Sequence, residues 1–346
     1  MNLLFVSKST PNLIKSAGDI RALRMLQILR KEFNIDVVAT SADYGTSDVK
    51  ALGCTPYLHE NVLNLLKNKA YDIVIIEHWT NANRYIDQIR NASEAKIIVD
   101  SIDLEFFRLQ RKLEYDSSKI TQAEVDRVRN QELAVYKKAD KIIIASNLDK
   151  KELLRHGDFD IIDFPCLFDL NDNKAQSGNN AYNIANWIHP PNVDSALYLC
   201  EKILPKVDLK FRFVGKHLPA SVQKYCDGEK TIMHGCEYEI HKFLPKMNML
   251  LAPILYGAGI NGKIGQAMAA GIPVVTTPLG ANPYGICHKK HAMVANNEAE
   301  FVFCINELLQ KSYLRDAIVA NGKKLIEEKY TINKYSNLFL EKLRDL

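Results

Sequence analysis

The chain reads as an α/β protein built from two doubly wound domains, each with a mainly parallel sheet. Three observations carry this. Apolar runs without alternation, such as IVII at Ile73 to Ile76 and MLLAPI at Met249 to Ile254, have the length and β-branched content of strands covered on both faces. These runs alternate with amphipathic helical patterns at least five times before residue 160. The same alternation resumes after a polar, turn-rich stretch, DLNDNKAQSGNN at Asp169 to Asn180. A length of 346 residues suits two domains of about 150 to 180 residues. The division is placed at 1–168, a linker 169–181, a second domain 182–328 and a terminal segment 329–346.

Leu3 to Ser7 is the first expected strand. A loop leads to an amphipathic helix from Gly18 to Phe33, with Ile20, Leu23, Leu26, Ile28 and Leu29 toward the core. Strands follow at Val37 to Thr40, Asp72 to Glu77, Lys96 to Val99 and Lys141 to Ala145, with a short helix at 61–67 and a long charged one at 119–138. Asp103 stands where a helix cap is expected. In the second half, strands are expected at Tyr182 to Trp187, Phe211 to Gly215, Thr231 to Gly235, Met249 to Ile254 and Pro273 to Thr277. Pro190 and Pro191 open a helix.

Composition excludes several classes. A net charge of +4 gives no sign of a nucleic-acid binder. Seven scattered cysteines without a C-x-x-C pair argue against a disulfide framework or a zinc site, and for a reducing cytoplasm. No apolar run approaches the ~20 residues of a membrane span. The first helix and its loop are the most basic part of the chain, which suggests peripheral contact with an anionic membrane surface or simply a solvated face.

The stretch from Leu250 to Ala281 organises the rest. A buried strand runs into a loop with Gly257, Gly259 and Gly262, then a short helix from Lys263 stopped at Gly271, then another strand. The loop lies at the carboxyl end of a strand, where open α/β sheets bind ligands. The helix N-terminus suits a phosphate, Lys263 adds a full charge, and Gln266 shares its face. A diphosphate at the helix tip with a ribose beside it fits this arrangement.

The run QAMAAGIPVV, Gln266 to Val275, resembles the donor-site signature of the family 4 glycosyltransferases. The resemblance implies a GT-B fold: two Rossmann-like domains facing a cleft, with the last helix crossing back to the first domain. It implies retaining transfer of a sugar from a UDP- or GDP-sugar to a glycan, lipid-linked or protein acceptor, without metal or cofactor. By the same resemblance, donor contacts fall on Gly18, Tyr238, Gly259, Ile260, Asn261, Gly262, Lys263 and Gln266. His78, just after a strand, is placed beside the donor sugar and is paired with Lys263 as the catalytic candidate. Arg21, Asp100 and Lys216 are candidate acceptor or phosphate contacts; for Arg21 the alternative is an exposed helix arginine. Asp100 and Asp103 lack the spacing of a metal-binding D-x-D.

The chain departs from the pattern in two places. Ala258 and Gln266 stand where many members carry glutamates, and the basic pair expected after the strand at Tyr182 is replaced by a loop with Pro190, Pro191 and Asn192. The resemblance therefore leaves open a catalytically degenerate subunit that binds a partner glycosyltransferase. A nucleotide-sugar 2-epimerase is disfavoured by Ala258. A Rossmann dehydrogenase lacks its G-x-G-x-x-G after the first strand.

Overall fold

The computed structural model describes residues 1–13, 16–41, 45–58, 62–171, 178–237 and 239–345. Residues 172–177 of the expected linker, and Tyr238, lie outside them. The chain divides into two compact units. The first comprises Met1–Leu167, Ala258–Ile260 and Ile332–Leu346, and the second Phe168–Gly257 and Asn261–Thr331.

The first unit holds a seven-stranded sheet formed by β1 (Asn2–Ser7), β2 (Asn34–Ala39), β3 (Thr55–Leu58), β4 (Ile73–Glu77), β5 (Lys96–Asp100), β6 (Lys141–Ile144) and β7 (Ile161–Asp163). Their order is β3-β2-β1-β4-β5-β6-β7, and every pairing is parallel. Side chains alternate across the sheet, as the pleat requires. Leu3 and Phe5 of β1 join one core with Leu26 and Leu29 of the helix Ala17–Leu29 and with Phe339, Leu340 and Leu343 of the last helix, Ile332–Arg344. Leu4 and Val6 join the opposite core with Ile86 of the helix Trp79–Ala92 and Val135 of the helix Gln122–Tyr136. The last helix is thus part of the first unit's core.

The second unit holds six strands: β8 (Asn180–Ile184), β9 (Lys210–Val214), β10 (Thr231–Gly235), β11 (Met249–Ala252), β12 (Val274–Thr276) and β13 (Met293–Val294). Their order is β10-β9-β8-β11-β12-β13, again parallel. One face packs Phe211, Phe213, Leu251 and Val275 against Phe301 and Ile305 of the helix Glu298–Gln310. Three strands have no counterpart in the sequence reading: β3, β7 and β13, each at the edge of its sheet.

Each sheet reverses its winding once. The reversal lies between β1 and β4 in the first unit and between β8 and β11 in the second. At such a point the connections from neighbouring strands leave in opposite directions and open a crevice beyond the strand ends.

Candidate functional site

In the second unit the crevice begins where the β8–β11 ladder stops. The two strands pair only at Ala181 with Met249 and Tyr182 with Leu250. At the next position the Asn183 side chain takes over, its Nδ2 donating to Leu251 O at 2.8 Å. Asn183 is fully buried, and its Oδ1 accepts a hydrogen bond from Lys263 Nζ at 3.0 Å. The same ammonium donates to Asn192 Oδ1 at 3.1 Å, while Asn192 Nδ2 donates to Asn186 O at 2.9 Å. Each amide is therefore oriented by a backbone carbonyl and turns its oxygen to the lysine. Desolvation pushes the Lys263 ammonium down to about 7, and no charge among the described residues offsets it.

Lys263 is the second residue of the helix Gly262–Ala269. Its N-cap, Asn261, is extended and makes no side-chain cap, so the first N–H groups point onward from the helix tip. Tyr284 steadies the entry: its hydroxyl donates to Asn261 O at 3.0 Å and accepts from Gly265 N–H at 3.3 Å. The exit follows the expected stop. Gly271 is left-handed at φ 71°, its N–H bonds Met268 O, and Ile272 N–H bonds Ala267 O, the paired bonds that satisfy a helix's last carbonyls. Gln266 lies half-buried one turn beyond Lys263. Lys216, after β9, is exposed.

The neighbouring residues Ala258–Ile260 belong to the first unit. There Gly259 is left-handed at φ 71°, and its N–H donates to Asp149 Oδ2 at 2.8 Å. A Cβ at Gly259 would stand 3.1 Å from Asp103 Cβ and 3.3 Å from Ile102 O, so this position demands glycine for both conformation and space.

In the first unit, Gly18 sits in the first turn of a helix capped by Ser16, whose Oγ accepts from Asp19 N–H at 3.1 Å. Arg21, one turn on, is buried rather than exposed. Its Nη1 meets Asp100 Oδ2 at 2.6 Å, its Nε donates to Phe164 O at 2.9 Å, and the guanidinium lies over the Phe164 ring. Arg21 is 3% exposed and Asp100 0%. Burial alone would lower the arginine's pKa; the charge and hydrogen bond of Asp100 outweigh it and raise it. The structure thus engages these two candidates with each other.

His78 follows β4 with φ 70°, an uncommon conformation for a residue with a side chain. It caps the helix Trp79–Ala92: Nδ1 accepts from Thr80 N–H at 3.3 Å and lies 2.8 Å from Thr80 Oγ1. Its own N–H donates to Asp100 O at 2.7 Å. Desolvation lowers its pKa, so the ring is neutral near pH 7. With Nδ1 accepting, the ring proton resides on Nε2.

The expected cap at Asp103 is corrected. Leu104 is the N-cap of the helix Glu105–Tyr115 and provides no side-chain cap, while Asp103 pairs with Arg108. The helix's free N–H groups are taken from elsewhere. Glu132 accepts from Glu105 N–H at 3.1 Å and Phe106 N–H at 2.9 Å, and Asp149 accepts from Leu104 N–H at 3.3 Å. Both carboxyls are fully buried; desolvation pushes Glu132 up to about 8 and Asp149 up to about 7. Their signals were present in the sequence. Glu132 falls in register with the buried Val128 and Val135, and Asp149 completes a Ser-x-x-Asp box with Ser146. Among the described residues no three or more His, Cys, Asp and Glu side chains gather as a metal site, and no helix is long and apolar enough to cross a membrane.

Residues 180–311 match the family described as "Glycosyl transferases group 1". No curated protein matches the chain. Among solved structures, HepE from Anabaena in complex with UDP superimposes with a TM-score of 0.75 at 12% identity, over 100% of both chains. Sucrose-phosphate synthase from Thermosynechococcus elongatus gives 0.77 at 11% identity, over 99% of this chain and 98% of that one. TarM from S. aureus, in complex with fondaparinux, alpha-GlcNAc-glycerol and UDP, gives 0.77 at 10% identity, over 99% of each. The chain therefore has the GT-B fold, and residues 180–311 resemble the group 1 glycosyltransferases.

Proposed function

We propose that this protein transfers a sugar from a nucleotide-diphosphate sugar to an acceptor hydroxyl, with retention at the anomeric carbon and without a metal. The observation that carries the reading is Lys263. It stands in the first turn of a helix at the sheet's reversal point, and its ammonium is held by two amide oxygens, with no carboxylate among the described residues to neutralise it. A diphosphate supplies the missing charge. HepE, similar in fold, is described with UDP and glucose and with UDP-glucose, which favours a uridine donor.

The residues have distinct tasks in this mechanism. As the bond between anomeric carbon and diphosphate oxygen breaks, negative charge grows on the leaving phosphate. The N–H groups of Gly262 and Lys263 and the Lys263 ammonium are set in place to stabilise it, so little reorganisation is needed as the charge develops. The departing oxygen accepts the acceptor's hydroxyl proton, so no protein base is required. His78 is assigned to the donor sugar through its Nε2–H, and Gln266 to the ribose through its amide. The acceptor is a glycan or glycoconjugate, and the reaction belongs to their biosynthesis.

Gln266 also favours a second reading. A neutral amide where a carboxylate is expected suits a subunit that retains the fold and supports a partner glycosyltransferase. Incubation with UDP- and GDP-sugars and a panel of saccharide acceptors separates the two. Acceptor-dependent release of UDP or GDP is expected. Nucleotide binding without release under any acceptor supports the degenerate subunit, and absence of binding overturns both.

A further inference from the structure

A lysine that receives a diphosphate needs to be held still without having its charge paired in advance. Side chains that hold an ammonium most strongly are carboxylates, yet a carboxylate at hydrogen-bond distance presents its own negative charge to the incoming phosphate. Lys263 is held by amides instead, and both are fixed in orientation. The Asn183 amide is anchored through Nδ2 to Leu251 O in the neighbouring strand, beyond the last paired residues of β8 and β11. The Asn192 amide is anchored through Nδ2 to Asn186 O in the loop after β8. Rotating either amide by half a turn would set an NH2 group against the ammonium and an oxygen against a carbonyl. The two anchors therefore determine which end faces Lys263.

Among the described residues no carboxylate pairs with Lys263. Asp194, two residues after Asn192 on the helix Pro190–Tyr198, accepts from the Tyr256 hydroxyl at 2.5 Å. The depression of the Lys263 pKa comes from desolvation alone, with no contribution from a charged group of the described residues. A fully buried asparagine inside a strand is an expensive choice when an apolar residue would pack there. Its two hydrogen bonds, one to the sheet and one to Lys263, account for it.

We propose that Asn183 and Asn192 form a neutral amide clamp that positions the Lys263 ammonium for a diphosphate, and that their lack of charge is the specificity-determining property of the site. The inference rests on the diphosphate reading of Lys263. Both asparagines are positioning residues that act through the lysine. The clamp selects ligands that bring a full negative charge to the helix tip and gives little to a neutral nucleoside.

The test uses the whole chain, with UDP and uridine as probes in calorimetry. Asn192→Ala removes one oxygen, and Asn192→Asp restores an acceptor while adding a charge. If Asn192 serves only as a structural hydrogen-bond acceptor, Asp rescues what Ala loses. If the clamp must be neutral, Asp is worse than Ala, with UDP affinity reduced ~10-fold or more by charge repulsion, while the melting temperature stays near wild type. Asn183→Ala, which leaves Leu251 O without its donor, serves as a check that loss of UDP affinity follows loss of the clamp at either end. The ligand-free protein gives a second readout. The Lys263 titration, followed by NMR of the side-chain ammonium and identified through Lys263→Arg, moves up from about 7 in Asn192→Asp. Equal UDP affinity and an unmoved Lys263 titration in Asn192→Asp overturn the clamp while leaving the donor site intact. If wild type binds UDP no better than uridine, yet the titration moves as expected, the diphosphate reading fails and the neutral clamp stands as a structural feature without that ligand.

Discussion

Arg21 in the first unit and Lys263 in the second are both basic side chains set near strand ends, and the two are treated in opposite ways. Arg21 is met by the Asp100 carboxylate at 2.6 Å, and both are buried, so the pair is neutral as a whole. Lys263 is met by the oxygens of Asn183 and Asn192, and no charged partner among the described residues compensates its ammonium. The first arrangement suits a structural tie between the helix Ala17–Leu29 and β5. The second destabilises its own charged form until an anion arrives. Sequence position alone suggested anion contacts for both residues; the identity of the partner, acid or amide, is what separates them.

The largest expected effect breaks the first half of this comparison. Arg21→Met leaves Asp100 buried without its cation and should cost about 3–5 kcal/mol of folding stability. The double variant Arg21→Met, Asp100→Leu should recover most of that in thermal or urea unfolding. Below its melting range, Arg21→Met should bind UDP as wild type does. A stable Arg21→Met with weak UDP binding would instead put Arg21 among the ligand contacts.

Lys263→Ala probes the other half. It should remove about 2–4 kcal/mol of transition-state stabilisation, read as kcat/KM for sugar transfer, with the melting temperature of the free protein unchanged or raised. Lys263→Arg should be milder. Unchanged turnover in Lys263→Ala removes the second half of the contrast.

The comparison is sharpened by pH. The folded Lys263 titrates near 7, below its ordinary range. Between those values the unfolded chain holds the proton and the native chain does not, so this group's contribution to stability rises with pH across that window. A bound diphosphate reverses the preference. UDP binding at pH 8 should take up close to one proton, measured by calorimetry in buffers of different ionisation enthalpy, and affinity should fall toward pH 9. Lys263→Arg should abolish the uptake, since arginine stays charged. Arg21→Met should leave it intact.

The smallest effect concerns Gln266. Gln266→Glu should tighten UDP binding by about 1 kcal/mol, because a charge-assisted bond to the ribose is partly offset by desolvation of the new carboxylate. Loss of affinity in this variant would mark the glutamine as an adapted ribose ligand.

The sequence made the centre of each sheet readable and left the margins obscure. β4 and β11 are flanked by partners on both sides, so Ile73 to Ile76 of β4 and all four residues of β11 are apolar. β3, β7 and β13 are edges of two to four residues with one neighbour each, and such strands carry little pattern of their own. The site divides in the same way. Lys263 and its helix follow from local chemistry, with glycine before, small residues within and Gly271 after. Asn183 does not, because its significance depends on Leu251, 68 positions away and one strand over. The burial of Arg21 depended likewise on Asp100, 79 positions on. A buried asparagine between Tyr182 and Ile184 was the available signal, since an apolar strand rarely spends a position on an amide without a use for it.

The last helix carries a consequence for how the chain is made. Phe339, Leu340 and Leu343 complete the core that Leu3 and Phe5 begin, and Ser336 accepts a hydrogen bond from Lys31, 305 positions earlier. Synthesis proceeds from the N-terminus, and domains tend to fold as they emerge. Here the first unit begins first, but the part of its sheet face that Phe339, Leu340 and Leu343 cover stays open until the second unit has been translated. During that interval the uncovered apolar face is vulnerable to aggregation and to chaperone capture, and a ribosome-stalled chain ending before Ile332 should show it as protease sensitivity of the first unit.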